Sequence, residues 1–204
     1  DAALNPDGEG RWVLAGDPTE GALITLALKS GLDARREADR LPRIDTIPFE
    51  SEHRFMATLH HDHQGHAFML LKGAPERVFE LCREQREDGD AKPLHPGYWH
   101  ACSEAIAGEG MRLIALAVKP MDASVRTLTF ADVESGGFTL LALLGLADPP
   151  REEAVAAVAR CRGAGIAVRM ITGDHAVTAR AIGEQLGLGD PVRVLSGPQI
   201  EQMD

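Results

Sequence analysis

The spacing of apolar and polar residues changes near Asp148, and the two sides predict different arrangements of strands and helices. Before that position, short apolar runs bounded by turn residues predict antiparallel strands with helices on one side. After it, apolar runs and amphipathic segments alternate, which is typical of a parallel sheet with crossover helices. We therefore predict an α/β protein in which residues 1–148 form an α+β domain and residues 149–204 form part of a second domain.

The first domain contains six apolar runs that predict strands, at residues 12–14, 44–48, 55–61, 66–71, 112–118 and 138–146. Three helices are predicted, with Thr19 capping the first, at residues 19–31, 75–83 and 98–107. The polar turn 62–65 ends in glycine and joins the third and fourth strands into a hairpin. Polar or charged composition predicts a linker and two loops, at residues 33–43, 84–97 and 121–137.

The second domain begins with a helix that carries Pro149 and Pro150 at its start and acidic residues in its first turn. The apolar run 166–171 predicts a buried strand, and residues 175–186 predict the next helix. A last apolar run at residues 192–195 predicts another strand, which completes an α-β-α-β order.

Charge and cysteine content exclude several classes of protein. The net charge of −10 over 204 residues argues against nucleic-acid binding but still allows a local cationic pocket for phosphates. The three cysteines, Cys82, Cys102 and Cys161, are far apart and odd in number, which argues against a disulfide framework and favours a reducing compartment. No apolar run reaches the roughly 18–20 residues of a membrane span, so we expect the chain itself to be soluble.

Lys72 and Gly73 stand where the apolar run 67–71 meets a helix that opens with Pro75. A glycine permits close approach to the backbone, and exposed amides with a cation nearby can hold an anionic ligand such as a nucleotide. An ordinary surface lysine in a strand–turn–helix connection fits the same pattern.

The turn Thr172-Gly173-Asp174 follows a predicted parallel strand, at the sheet edge where α/β proteins bind ligands. Its hydroxyl and amides suit a phosphoryl group, although Thr172 or Asp174 acting only as a helix cap is an equally simple interpretation.

Three other residues have both a functional and a structural interpretation. Phe49 lies in a charged stretch, where a ring beside an arginine can stack on a nucleobase, but a core position explains it as well. Arg112 is a candidate phosphate contact or a solvated charge at a strand start, and Glu20 is a candidate ligand contact or a first-turn acid.

Two clusters suggest metal or nucleophile chemistry and are given structural interpretations. The histidines at 60, 61, 63 and 66 sit at a predicted hairpin tip without cysteine or spaced carboxylates, so we favour a solvated turn over a zinc site. Asp88-Gly89-Asp90 follows no apolar strand and is interpreted as a loop. We predict no metal site in this chain.

Taken together, six strings resemble motifs that occur in the same order in P-type cation-transporting ATPases, closest to a calcium-pump-like bacterial subgroup. They are GDPTEGAL (16–23), PFESEHRFM (48–56), LLKGAPE (70–76), GMRLIALA (110–117), ADPPREE (147–153) and MITGDHAVTA (170–179). The resemblance covers residues 1–190, and six ordered motifs are more specific than any one of them.

The resemblance implies that residues 1–148 are a nucleotide-binding domain without its first strands. Phe49 would stack on adenine and Glu20 would hydrogen-bond at its edge. The base and sugar would be lined by Lys72 and Gly73, and the phosphates would meet Arg54 and Arg112. Many members of the family carry lysine where Arg54 stands.

Residues 149–204 resemble part of the phosphorylation domain, with a haloacid-dehalogenase-like parallel βαβ fold. There Thr172 and Gly173 would contact the transferring phosphoryl group, Asp174 would help order the site, and Asp148 would lie at the hinge. The family's DKTGT, GDGxND and TGE strings are not matched in this sequence.

These similarities predict an ATP-binding cytoplasmic fragment of a cation pump of the plasma (inner) membrane. It would position ATP, with Mg²⁺ whose ligands lie mostly outside this chain, for transfer to an aspartate that this chain does not match. Its partners would be the pump's membrane helices and actuator domain. The isolated chain is expected to be monomeric and unable to phosphorylate itself or transport ions. The alternatives are a stand-alone haloacid-dehalogenase-like phosphatase and a non-enzymatic nucleotide-binding module.

Overall fold

The computed structural model describes residues 2–9, 11–189 and 191–203, and in them it confirms the α/β class. The strands are β1 (Ala3–Pro6), β2 (Trp12–Ala15), β3 (Arg43–Glu50), β4 (Phe55–His61), β5 (Ala67–Gly73), β6 (Cys82–Glu87), β7 (Asp90–Pro93), β8 (Arg112–Met121) and β9 (Phe138–Leu146). The helices are α1 (Pro18–Lys29), α2 (Ala34–Arg40), α3 (Pro75–Leu81), α4 (Pro96–Gly108), α5 (Phe130–Glu134), α6 (Glu152–Gly163), α7 (Ala176–Gln185) and α8 (Gly197–Glu201).

A small antiparallel sheet pairs β1 with β2, and a larger mixed sheet has the order β3-β4-β5-β8-β9-β6-β7. Strands β3, β4, β5 and β8 are antiparallel neighbours, whereas β6 runs parallel to β9. The alternation of apolar residues along the strands buries one face of this sheet. Its fully buried side chains include Phe55, Leu59, Met69, Leu71 and Phe138.

The predicted β4–β5 hairpin is confirmed, with Phe55 opposite Gly73 and His61 opposite Ala67. In the turn, the Asp62 carboxylate accepts hydrogen bonds from the backbone N–H groups of Gln64 and His66 at 2.8 and 2.9 Å. Gly65 has a φ of 86°, which a residue with a side chain rarely adopts. The turn chemistry therefore fixes the register that aligns β4 with β5.

The described residues group into two compact units in space. The first comprises residues up to 94 together with 115–142, and it contains most of the larger sheet. The second comprises residues 95–114 and 143–204, and it contains α4, α6, α7 and α8. These units are defined by contacts in space and do not test the domain boundary near Asp148, which stays a prediction.

Two strands predicted in the second domain are wrong. Residues 166–171 and 192–195 are not hydrogen-bonded strands, and Ile166 and Ile171 are 57% and 98% exposed. A parallel strand needs a neighbour to pair with its N–H and C=O groups, and the described part of the chain offers none to either run. Of the predicted βαβ segment, only the helices α6 and α7 form here.

Three polar segments predicted as linker or loop contain regular structure. Residues 33–43 contain α2, capped by the carboxylate of Asp33. Residues 84–97 contain the end of β6 and all of β7, and residues 121–137 contain α5. The cap of α1 is Asp17 rather than Thr19, because the Asp17 carboxylate accepts from the N–H groups of Thr19 and Glu20. No helix in the described residues is both long and apolar enough to cross a membrane.

Candidate functional site

Helix α1 and five strands of the larger sheet line a cavity of about 390 Å³ in the first unit. Helix α1 approaches the small sheet closely because residue 21 is glycine: a Cβ there would lie 2.5 Å from Cδ1 of Leu14. The cavity wall is mostly apolar, and its polar members are Glu20, Arg43, Thr58 and Lys72. Such a cavity, with few and specific polar groups, is the usual form of a small-molecule site.

Lys72 and Glu20, which are 52 residues apart in the sequence, meet at this cavity. The Lys72 ammonium donates to Oε1 of Glu20 at 2.6 Å, and the two side chains are only 28% and 23% exposed. Lys72 lies on β5 between Met56 of β4 and Leu116 of β8, so apolar neighbours screen the pair from water. The structure thus brings together two residues that the sequence singled out separately.

The hydrogen bond from Lys72 lowers the pKa of Glu20, against the opposing effect of burial. Glu20 is therefore a carboxylate at neutral pH, and its two oxygens act only as hydrogen-bond acceptors. The ammonium has three N–H donors. The pair can therefore offer an acceptor and a donor side by side to one ligand.

Gly73 is required by the packing of its own strand. A Cβ at this residue would lie 2.5 Å from the carbonyl oxygen of Arg54 and 2.9 Å from Cα of Phe55. The same Arg54 carbonyl accepts a hydrogen bond from the N–H of Ala74 at 3.0 Å. The space that a side chain would take at Gly73 is thus filled by the backbone of β4 and of the turn before it.

Phe49 is the penultimate residue of β3, and Arg54 ends the turn between β3 and β4. Arg54 has a φ of 57°, and its N–H donates to the carbonyl of Glu50 at 2.8 Å. Phe49 is 59% exposed, which excludes the core position considered for it, and it does not line the cavity. Because Glu50 pairs with Phe55 and Phe55 pairs with Gly73, Phe49 and Arg54 lie at the end of the sheet that carries Lys72 and Gly73.

Arg112 lies in the second unit, where it joins Thr172 and Asp174. The Arg112 guanidinium donates from Nε to Oδ1 of Asp174 at 2.9 Å, and the Thr172 hydroxyl donates to Oδ2 at 2.6 Å. The N–H of Asp174 donates back to the Thr172 hydroxyl at 3.1 Å. Gly173 lies inside this closed turn, and the Asp174 carboxylate is held in one orientation by groups on both sides.

The pKa of Asp174 reflects opposing effects. Burial alone would raise it, but the hydrogen bonds from Thr172 and Arg112 and the charge of Arg112 lower it overall. The N-cap of α7 is His175, whose Nδ1 accepts from the N–H of Val177 at 3.4 Å. Asp174 and Thr172 are therefore not the caps of this helix, and their mutual bonds build a separate polar turn.

The hairpin histidines bond to different groups. Their partners are the Leu41 carbonyl and Thr58 hydroxyl for His60, the Val125 carbonyl for His61, the Asp39 carbonyl for His63 and the Asp62 carboxylate for His66. Within residues 2–9, 11–189 and 191–203, no cluster of three or more His, Cys, Asp or Glu side chains is arranged to hold a metal ion.

Thr58 and Arg43 are cavity residues that the sequence patterns did not identify. Thr58 interrupts the apolar run of β4, and a polar residue inside a buried strand is a signal that such a residue has a partner. Arg43 is the first residue of β3 and has no comparable signal in the sequence.

Comparisons with known proteins find relatives over most of this chain. The profile of a family described as "P-type ATPase, cytoplasmic domain N" matches residues 1–153. Over 200 residues the chain is 44% identical to the "Probable cation-transporting ATPase F" of Mycobacterium tuberculosis, covering 97% of this chain and 22% of that protein. It is 40% identical over 196 residues to the "Cation-transporting ATPase pma1" of Synechocystis, covering 94% of this chain and 21% of the relative. It is 33% identical over 209 residues to the "Calcium-transporting ATPase 1" of Lactococcus lactis, covering all of this chain and 23% of the relative. The chain thus spans about a fifth of the length of these relatives.

Proposed function

This chain belongs to the P-type cation-transporting ATPases, and from that premise we propose that it binds ATP and positions it for phosphoryl transfer in a cation pump. The observation that carries the proposal is the Lys72–Glu20 pair on the wall of a mostly apolar cavity of about 390 Å³. We assign nucleotide binding to residues 1–148 and part of the phosphorylation domain to residues 149–204.

The chemistry of the cavity suits the base end of a nucleotide. A purine is a flat, largely apolar ring system with donors and acceptors on its edge, and the pair offers the complementary acceptor and donor. Exposed Phe49 can stack on a base, and Arg54 in the turn after β3 can meet phosphate oxygens. Gly73 contributes by keeping β5 close to this turn.

In the second unit, we assign the Thr172–Asp174 turn to the transferring phosphoryl group. Phosphoryl transfer depends on positioning and on stabilising charge, and Thr172 and Gly173 would contact the phosphoryl oxygens while Asp174 orders the turn. Arg112, which bonds Asp174 here, would bring positive charge to the phosphates. Mg²⁺ would arrive with ATP and take most of its ligands from outside this chain.

The full reaction requires the rest of the pump. We place this chain on the cytoplasmic side of the plasma membrane, with membrane helices and an actuator domain as partners. The receiving aspartate is not matched in this chain, so radiolabelled ATP should leave no stable acyl-phosphate on it. Labelling of the chain by ATP would overturn this part of the proposal.

Isothermal titration of ATP against single variants tests the binding site. Lys72→Ala removes a hydrogen bond from a charged donor, worth about 1.5–3 kcal/mol, so affinity should fall by about tenfold or more. Phe49→Ala removes a stacking surface worth about 1–3 kcal/mol per base, with a loss of about fivefold or more.

Lys92→Ala is the matched control, because Lys92 on β7 also pairs with a glutamate, Glu87, at 3.1 Å. It lies outside the cavity and should leave ATP affinity unchanged. If neither Lys72→Ala nor Phe49→Ala weakens binding, the site assignment is wrong.

A further inference from the structure

Thr58 is a polar side chain on the inner wall of the same cavity. It is 9% exposed, and it lies on β4 opposite Leu70. Because Met56 lies opposite Lys72, Thr58 and Lys72 are diagonal neighbours on one face of the sheet, about 7–8 Å apart. One ligand can therefore contact both residues.

The hydrogen bonds of His60 determine that the Thr58 hydroxyl donates its proton to the imidazole. Nδ1 of His60 lies 2.9 Å from the carbonyl oxygen of Leu41, which can only accept, so Nδ1 carries the proton. In a neutral imidazole Nε2 then has a lone pair, and at 2.9 Å it accepts from the Thr58 hydroxyl. The Thr58 oxygen is left with lone pairs alone for anything else that it meets.

The surroundings of His60 keep it neutral at pH 7. Burial lowers its pKa, the hydrogen bond to Leu41 opposes that effect, and the charge of Arg43 on β3 lowers the pKa further. From β5, the uncharged ring of Phe68 stacks on the imidazole, with centroids 5.8 Å apart and planes 11° from parallel. The described contacts of His60 therefore bring no carboxylate to stabilise an imidazolium.

We propose that Thr58 determines base specificity by accepting a hydrogen bond from the exocyclic amino group of adenine, and that His60 is the residue that positions it. The inference rests on the proposed ATP-binding function. An oxygen that presents only lone pairs attracts N–H donors and disfavours phosphate oxygens and purine carbonyls. Guanine and hypoxanthine carry a carbonyl where adenine carries its amino group, so this wall selects adenine.

Titration calorimetry of ATP and inosine triphosphate tests the proposal, with the ratio of their dissociation constants as the readout. Thr58→Val keeps the shape of the side chain and removes the hydroxyl. ATP affinity should fall by about three- to tenfold, inosine triphosphate affinity should not fall, and the ratio should shrink accordingly. Thr58→Ser, which retains a hydroxyl, should restore most of the ratio.

Thr139→Val is the matched control, since Thr139 is a strand threonine with 7% exposure that does not line the cavity. The ratio of the dissociation constants for ATP and inosine triphosphate should be the same in Thr139→Val as in the wild type. An unchanged ratio in Thr58→Val, with ATP binding still sensitive to Lys72→Ala, overturns this inference alone. Failure of the wild type to bind ATP overturns the proposed function and this inference with it.

A pH series tests the part assigned to His60. The pKa of His60 lies below the ordinary histidine value, and as pH falls through it a proton is added to Nε2, which then donates to Thr58. The Thr58 hydroxyl becomes free to donate into the cavity, so the preference for ATP over inosine triphosphate should weaken in the wild type. In Thr58→Val the ratio should not change over the same range, and a parallel change there would refute the positioning role of His60.

Discussion

Replacement of Gly73 by alanine tests the close approach of β5 to the turn before β4. The added Cβ would lie 2.5 Å from the Arg54 carbonyl oxygen and 2.9 Å from Cα of Phe55, and neither backbone atom can rotate away. Overpacking usually costs about 1–3 kcal/mol, and obstruction by backbone puts this site near the upper value. Alanine also reduces the conformational entropy of the unfolded chain, which stabilises the fold by about 0.4–1 kcal/mol. The net decrease in the free energy of unfolding is therefore about 2 kcal/mol.

Thermal unfolding followed by circular dichroism measures this loss. For a chain of this length, 1 kcal/mol corresponds to about 2–4 °C, so Gly73→Ala should lower the midpoint by about 4–8 °C. Gly97→Ala is the control, because Gly97 lies in helix α4 and a Cβ there meets nothing within 4 Å. Its midpoint should stay level or rise slightly, since alanine favours helix. Equal midpoints for the two variants would refute the steric argument.

Three further variants test individual contacts. Gly21→Ala should change the unfolding midpoint less than Gly73→Ala does, because the obstructing Leu14 atoms end a flexible side chain; an equal or larger drop would contradict this. Glu20→Gln should reduce the dependence of the unfolding midpoint on pH at acidic pH. The folded-state pKa of Glu20 is lowered, so the ionised carboxylate stabilises the fold above the unfolded pKa of about 4.3. This stabilisation is lost as pH falls through the folded-state pKa, and the variant does not have it to lose. Midpoints measured from pH 3 to 7 check this, and a profile that matches the wild type throughout would count against it. Thr172→Val should raise the pKa of Asp174, since a hydrogen bond that favours the carboxylate is removed; an NMR titration that finds no rise would show that the bond is not made in solution.

Local patterns in the sequence predicted the β4–β5 hairpin that lines the cavity, but not the side-chain contacts across the cavity. The apolar runs of β4 and β5 and the glycine turn between them are adjacent in the chain, so spacing alone identifies them. Glu20 and Lys72 were each singled out, yet a pairing over 52 residues is set by how α1 packs on the sheet. No short window of sequence contains that information.

The errors have the same origin in tertiary context. The segment Cys82–Glu87 is mostly polar because it lies near the sheet edge, and only Cys82 and Gln85 are buried in it. Conversely, residues 166–171 have the composition of a central strand, but a strand forms only where a neighbour supplies hydrogen bonds. Composition therefore indicates which secondary structures a segment can form, and the neighbouring segments determine which one it forms.

The strand order also separates early from late steps in folding. The meander β3-β4-β5 joins neighbours in sequence, whereas β8 and β9 insert between β5 and β6, so that Gln85 pairs with Leu140 across 55 residues. Closing long loops is slow, and we expect the meander to be protected first in pulsed hydrogen exchange and β6 last. Simultaneous protection of Leu59 and Gln85 would contradict this order. Leu116 of β8 and Leu141 of β9 complete the cavity wall. A nascent or partly refolded chain would therefore have the β4–β5 hairpin but not the finished cavity, and the proposed nucleotide binding would begin only after β8 and β9 have joined the sheet.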